Sequence, residues 1–207
     1  MPMNDTLVID RGDLSSLALL AIQPDAAGVV LWHAPEHDAA QPMRLSMVRR
    51  HAELFSASRL IVLEHAIVLP APDRRELFEA NMLIQAANAA VSLGCSRVLW
   101  PRQMGNGADH RAIADALERT ATISLLTASS GASNTLNRAI GIDLPLIDVN
   151  DVQLVDLAED AGAPMTAWWP CDGASHEPCE ACHQCQRWRD AFASAGIEWP
   201  WHSALAA

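Results

Sequence analysis

The stretch from Pro170 to Gly196 constrains the chain most, because it contains four of the five cysteines. They are spaced C-x7-C-x2-C-x2-C, at Cys171, Cys179, Cys182 and Cys185. A C-x2-C turn places two thiolates on one side of an ion, and zinc prefers four such soft ligands in a tetrahedron. Two overlapping C-x2-C steps supply three ligands, and the first cysteine returns across a glycine-containing loop as the fourth. The spacing predicts a closed, structural zinc site.

Two other arrangements stay open for these cysteines. Two disulfides would suit a secreted chain, but the N-terminal M-P-M-N-D-T lacks the basic and apolar regions of a signal peptide. An iron–sulfur cluster also takes four cysteines. His176 and His183 lie close enough in sequence to replace a cysteine, although we expect both to be solvated loop residues.

The charge of the chain limits its partners. Half of the 207 residues are hydrophobic, the formal net charge is −11, and all 14 basic residues are arginines. An acidic surface repels phosphate backbones, so we expect no nucleic-acid partner. No apolar run approaches the ~18 residues of a membrane span, so we expect no membrane contact and a cytoplasmic location.

Short apolar runs alternate with helical patterns along most of the chain. The runs predict strands at Thr6–Asp10, Gly28–Trp32, Leu60–Leu63, Arg97–Trp100 and Ala139–Ile147. The helices are predicted at Leu14–Ile22, Pro42–Phe55, Arg74–Leu93, Asp109–Leu126, Val152–Ala161 and Cys185–Ala195. Uniformly apolar strands joined by helices indicate a parallel five-stranded α/β sheet with helices on both faces. We expect an α/β domain over residues 1–165 and a cysteine segment over residues 166–207 packed on it.

The carboxyl ends of such strands are where ligands bind. The loops expected at this edge are Asp10–Ser16, Trp32–Gln41, Glu64–Asp73 and Pro101–Asp109. Trp168 and Trp169 are expected to pack around the metal loop. The histidines outside the cysteine stretch show no pairing pattern, so we predict surface or loop positions for them, His33 and His51 included.

The C-terminal motifs carry a resemblance to a known family. T-A-W-W-P-C-D-G, P-C-E-A-C-H-Q-C-Q-R and A-G-I-E-W-P resemble the zinc-binding end of 7-cyano-7-deazaguanine synthases. The preceding D-L-P-L-I-D-V-N-D-V-Q-L-V-D-L-A-E-D-A-G-A-P resembles the strand and helix before the zinc loop of that family. The resemblance implies a PP-loop ATP pyrophosphatase fold, Rossmann-like and of the adenine nucleotide alpha hydrolase type, with the four cysteines as zinc ligands. Members of the family use ATP to activate 7-carboxy-7-deazaguanine, which ammonia converts to the nitrile in queuosine biosynthesis.

The phosphate loop departs from the pattern S-G-G-x-D-S of that family. The aligned stretch is Arg11-Gly12-Asp13-Leu14-Ser15-Ser16, in which only Gly12 and Ser16 match. Asp13 puts a carboxylate where an anionic ligand would lie, and its ordinary role would be to cap the following helix. The lysine of the family at the start of the last-strand helix aligns with Asp151. These changes argue against ATP binding, unless Arg11 supplies charge to a rebuilt loop.

Two functional hypotheses follow from the resemblance. The first is a zinc-containing pseudoenzyme that has lost ATP-dependent catalysis and acts as a binding or scaffold protein for a purine-like ligand or a protein partner. The second is an active ligase that forms the 7-cyano product with a rebuilt phosphate loop. Asp109 and Arg111 fall where the family carries an Asp-x-Arg near its substrate, although a helix cap explains Asp109 equally well. Members of the family often dimerise, so a homodimer is a further expectation.

Overall fold

Five short strands form one parallel sheet in the order β3-β2-β1-β4-β5. The structure is a computed structural model that describes residues 6–24, 28–65, 67, 75–107, 109–129 and 139–201. The strands are β1 (Thr6–Ile9), β2 (Val29–His33), β3 (Arg59–Val62), β4 (Arg97–Leu99) and β5 (Gly141–Asp143). β1 and β2 are buried over their whole length, as expected for central strands of a covered sheet. The predicted five-stranded parallel sheet is confirmed.

The fifth strand is shorter than predicted. The sequence pattern indicated Ala139–Ile147, whereas pairing with β4 covers only Gly141–Asp143. Pro145 has no amide hydrogen and cannot extend the ladder. The chain instead turns, with the Ile147 amide donating to the Leu144 carbonyl (3.3 Å) and the Val149 amide to the Leu146 carbonyl (3.2 Å).

Helices cover both faces of the sheet. They are α1 (Leu14–Ala21), α2 (Gln41–Leu54), α3 (Arg75–Leu93), α4 (His110–Ser129), α5 (Asp151–Asp160) and α6 (His183–Ala195). Alternate strand residues point to opposite faces. Leu7 and Ile9 therefore join the core formed with α3 and α4, while Val8 joins the core formed with α1, α5 and α6.

Helix ends agree closely with the sequence signals. Asn150 caps α5 in a reciprocal capping box with Gln153. Gly196 ends α6 in the left-handed region at φ 72°, a conformation that favours glycine. Among the described residues, no helix combines the length and apolar character needed to cross a bilayer.

The residues before and after the cysteine loop are anchored in the core. Trp168 is fully buried and packs edge-to-face against Trp188 (5.3 Å between ring centroids) and Trp199 (6.1 Å). Its ring also stacks on Phe192 at 6.1 Å. Trp169 packs against Trp201 at 5.8 Å. The expected packing of these tryptophans around the cysteine loop is confirmed.

The position of β1 creates a crevice at the carboxyl edge of the sheet. The chain runs from β1 to β2 and β3 on one side, then crosses over to β4 on the other side of β1. The loops after β1 and β4 therefore leave in opposite directions, which is where sheets of this kind bind ligands. This crevice positions the candidate site.

Candidate metal centre and adjoining cavity

The four cysteines of the C-terminal segment converge on one point. Their sulfur atoms all lie within 4.8 Å of one another. Cys171 Sγ is 3.5 Å from Cys179 Sγ and 3.9 Å from Cys182 Sγ. Zinc–sulfur bonds of about 2.3 Å place the sulfurs of a tetrahedral site about 3.8 Å apart, so the group can hold a single ion. All four are free thiols, as these separations exceed the ~2.05 Å of a disulfide.

Backbone amides explain why the C-x2-C spacing suits thiolates. The Cys182 amide donates to Cys179 Sγ (3.3 Å), and the Cys185 amide donates to Cys182 Sγ (3.4 Å). Cys182 is also the residue that caps α6. The Gly173 amide donates to Cys171 Sγ (3.2 Å) across the preceding loop. The turn and the helix start therefore orient the sulfurs and stabilise their negative charge.

The thiols differ in how readily they ionise. Burial raises the pKa of Cys171 and of Cys185 above the ordinary value for a thiol. The exposed Cys179 accepts hydrogen bonds from the amides of Ala181 and Cys182, which lower its pKa to about 7. Two buried thiols beside a readily ionised one favour a cation at their centre, because a bound cation compensates the buried negative charge. His176 and His183 are exposed, as expected, and stand outside the group, although His183 begins α6 and does not lie in a loop.

The N-terminus of α1 carries its own carboxylate. Asp13 Oδ1 accepts hydrogen bonds from the Ser16 amide (2.9 Å) and the Ser16 hydroxyl (2.7 Å). The Ser16 oxygen in turn accepts from the Arg11 amide (3.0 Å). The predicted role of Asp13 as a helix cap is confirmed, and its charge lies where helix amides attract an anion.

Replacing Asp13 by alanine is expected to lower the free energy of unfolding by about 1 kcal/mol, since the first turn of α1 loses its capping acceptor. Asp13→Asn keeps an oxygen in the same place and is expected to stay within a few tenths of a kcal/mol of wild type. Urea unfolding of both variants measures the difference. Equal losses in the two variants would contradict a capping role.

A cavity of about 150 Å³ opens beside this helix start, in the crevice between β1 and β4. Three parts of the chain form most of its walls, namely the loop after β1, the loop after β4 and the cysteine segment, and Arg44 of α2 adds to them. Representative lining residues, two from each, are Arg11, Asp13, Trp100, Arg102, Cys171 and Arg187. A candidate metal ligand thus also lines the cavity. Of the predicted phosphate-loop residues, Arg11, Asp13 and Ser15 face this space.

The arginines around the cavity are paired with carboxylates. Arg11 Nη2 lies 2.5 Å from Glu36 Oε1, and Arg44 Nη1 lies 3.1 Å from Glu36 Oε2 and 2.6 Å from Asp38. Arg102 pairs with the buried Glu79. Their positive charge is largely neutralised within the protein, which weakens any attraction of this edge for a polyphosphate.

Arg187, which lines the cavity, is paired with the buried Asp151. Arg187 donates two hydrogen bonds to its carboxylate, at 2.8 and 2.5 Å, and Gln103 donates a third at 2.9 Å. Asp151 is 1% exposed and begins α5, so these donors neutralise a buried charge. Gly105, at φ +77°, lets the loop after β4 pass close by, since a Cβ there would lie 2.8 Å from Arg187 Nη2. Sequence pattern alone did not indicate this pair.

Asp109 and Arg111 lie apart from the cavity lining. Asp109 accepts hydrogen bonds from the amides of Arg111 (2.5 Å) and Ala112 (3.0 Å), as a cap of α4 would. The Arg111 side chain is 89% exposed and lies 4.0 Å from Asp115. The structure therefore does not bring these two residues to the candidate site, and their substrate role stays a prediction.

The prediction that His33 and His51 occupy surface or loop positions is wrong. His51 lies on α2 with no exposed side-chain area, and its Nδ1 is 2.9 Å from Asp10 Oδ2. His33 is the last residue of β2 and is 2% exposed. Its Nδ1–H donates to the Asp10 carbonyl (2.7 Å), while its Nε2 accepts from the Gln41 amide (2.9 Å). The missed signal was the place of His51 three residues after Val48, on the apolar face of α2.

The fold and the site together define a class: parallel Rossmann-like α/β proteins with a helix N-terminus at the crevice after β1 and a C-terminal four-cysteine segment. The family described as "Queuosine biosynthesis protein QueC" matches residues 108–196. A 7-cyano-7-deazaguanine synthase of Trichodesmium erythraeum (strain IMS101) is 31% identical over 62 residues, which cover 30% of this chain and 28% of that protein. Its counterpart in Methanosarcina barkeri (strain Fusaro / DSM 804) is 36% identical over 56 residues, which cover 27% and 24%. These matches show that the C-terminal part of the chain is similar to the QueC family and to 7-cyano-7-deazaguanine synthases.

Solved structures share the general outline at low identity. The U34-tRNA thiolase NcsA from Methanococcus maripaludis with its 4Fe–4S cluster has a TM-score of 0.49 at 9% identity, covering 92% of this chain and 64% of its own. NMN synthetase from Francisella tularensis has a TM-score of 0.45 at 12% identity, covering 98% and 80%. Neither likeness carries an argument about family or function. The matches to the two synthases span only about a quarter of their length.

Proposed function

We propose that this protein is a zinc-containing homologue of 7-cyano-7-deazaguanine synthase that binds a small ligand or a partner without consuming ATP. One observation carries the proposal: the Asp13 carboxylate accepts the Ser16 amide and hydroxyl at the N-terminus of α1. A phosphate held there would meet a negative charge in place of free amides. Phosphoryl and adenylyl transfer depend on positioned positive charge, and this position carries the opposite sign.

The charges around the cavity also support a protein that does not consume ATP. Asp151 stands where the family pattern has a lysine, and its pairing with Arg187 neutralises the cation that Arg187 would otherwise offer to a phosphate. The chain contains no lysine to replace it. Arg11 and Arg44 both pair with Glu36. The crevice therefore lacks the excess positive charge that a nucleoside triphosphate requires.

The cavity itself favours a small ring system. Its volume of about 150 Å³ lies below the roughly 300–1,000 Å³ of typical ligand pockets. Trp100, Trp169 and Trp188 contribute to its walls, and indole rings offer faces and edges to a planar ligand. A purine-like base fits this description better than a complete nucleotide.

Zinc is the metal that the sulfur geometry supports best. Sulfur separations of 3.5 and 3.9 Å suit four bonds to one ion. An iron–sulfur cluster attaches its cysteines to separate irons, which spreads the sulfurs farther apart. When bound, zinc would cross-link the loop at Cys171 to the start of α6 and so hold the cavity wall in place.

An active ligase is the second candidate, and Arg11 favours it. The Arg11 Nε atom is buried and has no hydrogen-bond partner among the described residues. A rebuilt phosphate loop would use such a nitrogen to hold an anion. In this case ATP would activate 7-carboxy-7-deazaguanine for attack by ammonia.

Calorimetry with ATP and Mg²⁺ on the metal-loaded protein separates the two candidates. We expect wild type to bind ATP more weakly than a Kd of about 1 mM and to form no nitrile from 7-carboxy-7-deazaguanine and ammonia. Asp13→Gly restores a small residue of the family loop, and we expect it to bind ATP at least about tenfold tighter. Micromolar binding with turnover by wild type would establish the ligase instead. Elemental analysis is expected to give about one zinc per chain, and stoichiometric iron would refute the metal assignment.

A further inference from the structure

A closed ring of hydrogen bonds joins the end of β1 to the segment that leads into the cysteine loop. His51 Nε2 lies 2.5 Å from the Ala167 carbonyl, and His51 Nδ1 lies 2.9 Å from Asp10 Oδ2. On the other side, the Gly12 amide donates to Asp10 Oδ1 (2.8 Å), and the Trp169 amide donates to the Gly12 carbonyl (2.9 Å). The ring thus connects two residues of the loop after β1, one residue of α2 and the two ends of residues 167–169.

The acceptors in this ring determine the protonation of His51. A backbone carbonyl only accepts hydrogen bonds, and so does an ionised carboxylate. With one such oxygen at each nitrogen, both ring nitrogens carry a proton and the imidazole is positively charged. The Asp10 carboxylate, equally buried, neutralises that charge. Removal of one proton would turn one of the two contacts into a repulsion between lone pairs.

We propose that protonated His51 is a pH-sensitive latch that docks residues 166–169 onto the loop after β1 and thereby holds the cavity wall formed by Trp169 and Cys171. Besides the ring, one direct polar contact of α2 with this segment lies at the surface, where Arg50 donates to the Thr166 carbonyl (3.1 Å). The latch concerns the docking of the segment itself, so it holds whether or not the protein consumes ATP.

The charged groups around His51 come from several elements. Asp10 faces it from the end of β1 and Asp13 from the start of α1, while Arg50 is its neighbour on α2. Burial lowers the pKa of His51, but the Asp10 charge and the two hydrogen bonds outweigh burial and leave the pKa raised. Burial lowers the pKa of His33, so its ring stays neutral. The neutral ring agrees with the hydrogen bond that its Nε2 accepts from the side-chain amide of Gln41.

The direction of the pH effect follows from this raised pKa. Undocking removes the Ala167 acceptor and hydrates the ring, so the pKa of His51 falls from its raised value toward the ordinary 6.5. The latch is therefore at full strength below that pH and is lost as the pH rises through the raised pKa of the docked state. Between the two values, the equilibrium constant for undocking increases about tenfold per pH unit.

Two measurements on the full-length, metal-loaded protein test the latch. Nitrogen-15 NMR of the histidine rings is expected to show both His51 nitrogens protonated at pH 7 and a raised pKa. Hydrogen exchange at the Trp169 amide, corrected for intrinsic exchange, is expected to lose protection about tenfold per pH unit above pH 6.5 in wild type. In His51→Gln the protection should be low at every pH, while the exposed-site control His110→Gln should behave as wild type.

A neutral His51 at pH 7 would overturn the proposal, and so would wild-type protection of Trp169 in His51→Gln. If His51→Gln does not fold, the wild-type protein alone decides: protection that does not change with pH above the ordinary histidine pKa contradicts the latch.

Discussion

Replacing Cys185 by serine is expected to abolish tight zinc binding and to loosen the start of α6. Cys185 has no exposed surface, so neither a water molecule nor a neighbouring side chain has room to replace its sulfur as a ligand. Its amide also donates to the Cys182 sulfur, which fixes its backbone at the start of α6. A serine hydroxyl is a hard ligand that stays protonated, which zinc accepts poorly. We expect the loss of at least about 4 kcal/mol of metal-binding free energy, roughly a thousandfold in affinity.

Cys95→Ser is the matched control for this variant. Cys95 is the fifth cysteine, is 2% exposed and lies outside the four-cysteine group. Competition with a coloured zinc chelator should show wild-type affinity for Cys95→Ser and no measurable retention for Cys185→Ser. Chelator treatment of wild type should reproduce the loosening, seen as increased exchange of the α6 amides. Equal zinc retention in both variants would show that these sulfurs do not form the metal site.

Replacing Gly12 by alanine is expected to destabilise the protein by about 3 kcal/mol or more. Gly12 has φ +67°, which costs an L-residue about 1 kcal/mol by itself. An added Cβ would also lie 2.3 Å from the Arg44 carbonyl oxygen, which is backbone of α2 and not a flexible side chain. The helix would have to move, and that strains the packing around His51 and the Trp169 hydrogen bond as well.

Gly107→Ala separates the two causes of this effect. Gly107 has φ +80° but nothing within 4 Å of an added Cβ, so only the backbone cost of about 1 kcal/mol should remain. Urea unfolding of both variants gives the comparison. If Gly12→Ala lost no more stability than Gly107→Ala, the close approach of α2 to the loop after β1 would be contradicted.

The sequence by itself was sufficient for the local parts of this protein. Apolar runs and helix patterns predicted the parallel sheet, because burial on both faces requires uniformly apolar strands. Capping at Asp13 was predicted correctly, since a cap depends on a few neighbouring residues. The four cysteines could be grouped from spacing alone, because each C-x2-C step is a single turn.

The tertiary structure decided the contacts between distant parts of the chain. Asp10 and His51 are 41 residues apart, and His51 and Ala167 are 116 apart, so no local period reports that they meet. The same holds for Asp151 and Arg187, which are 36 residues apart. A buried histidine or aspartate is tolerated only if another element supplies a hydrogen-bond partner for it. The sequence gives the residue types but not these long-range contacts. Which charges neutralise one another at this site was therefore settled by the packing of β1, α2 and the cysteine segment.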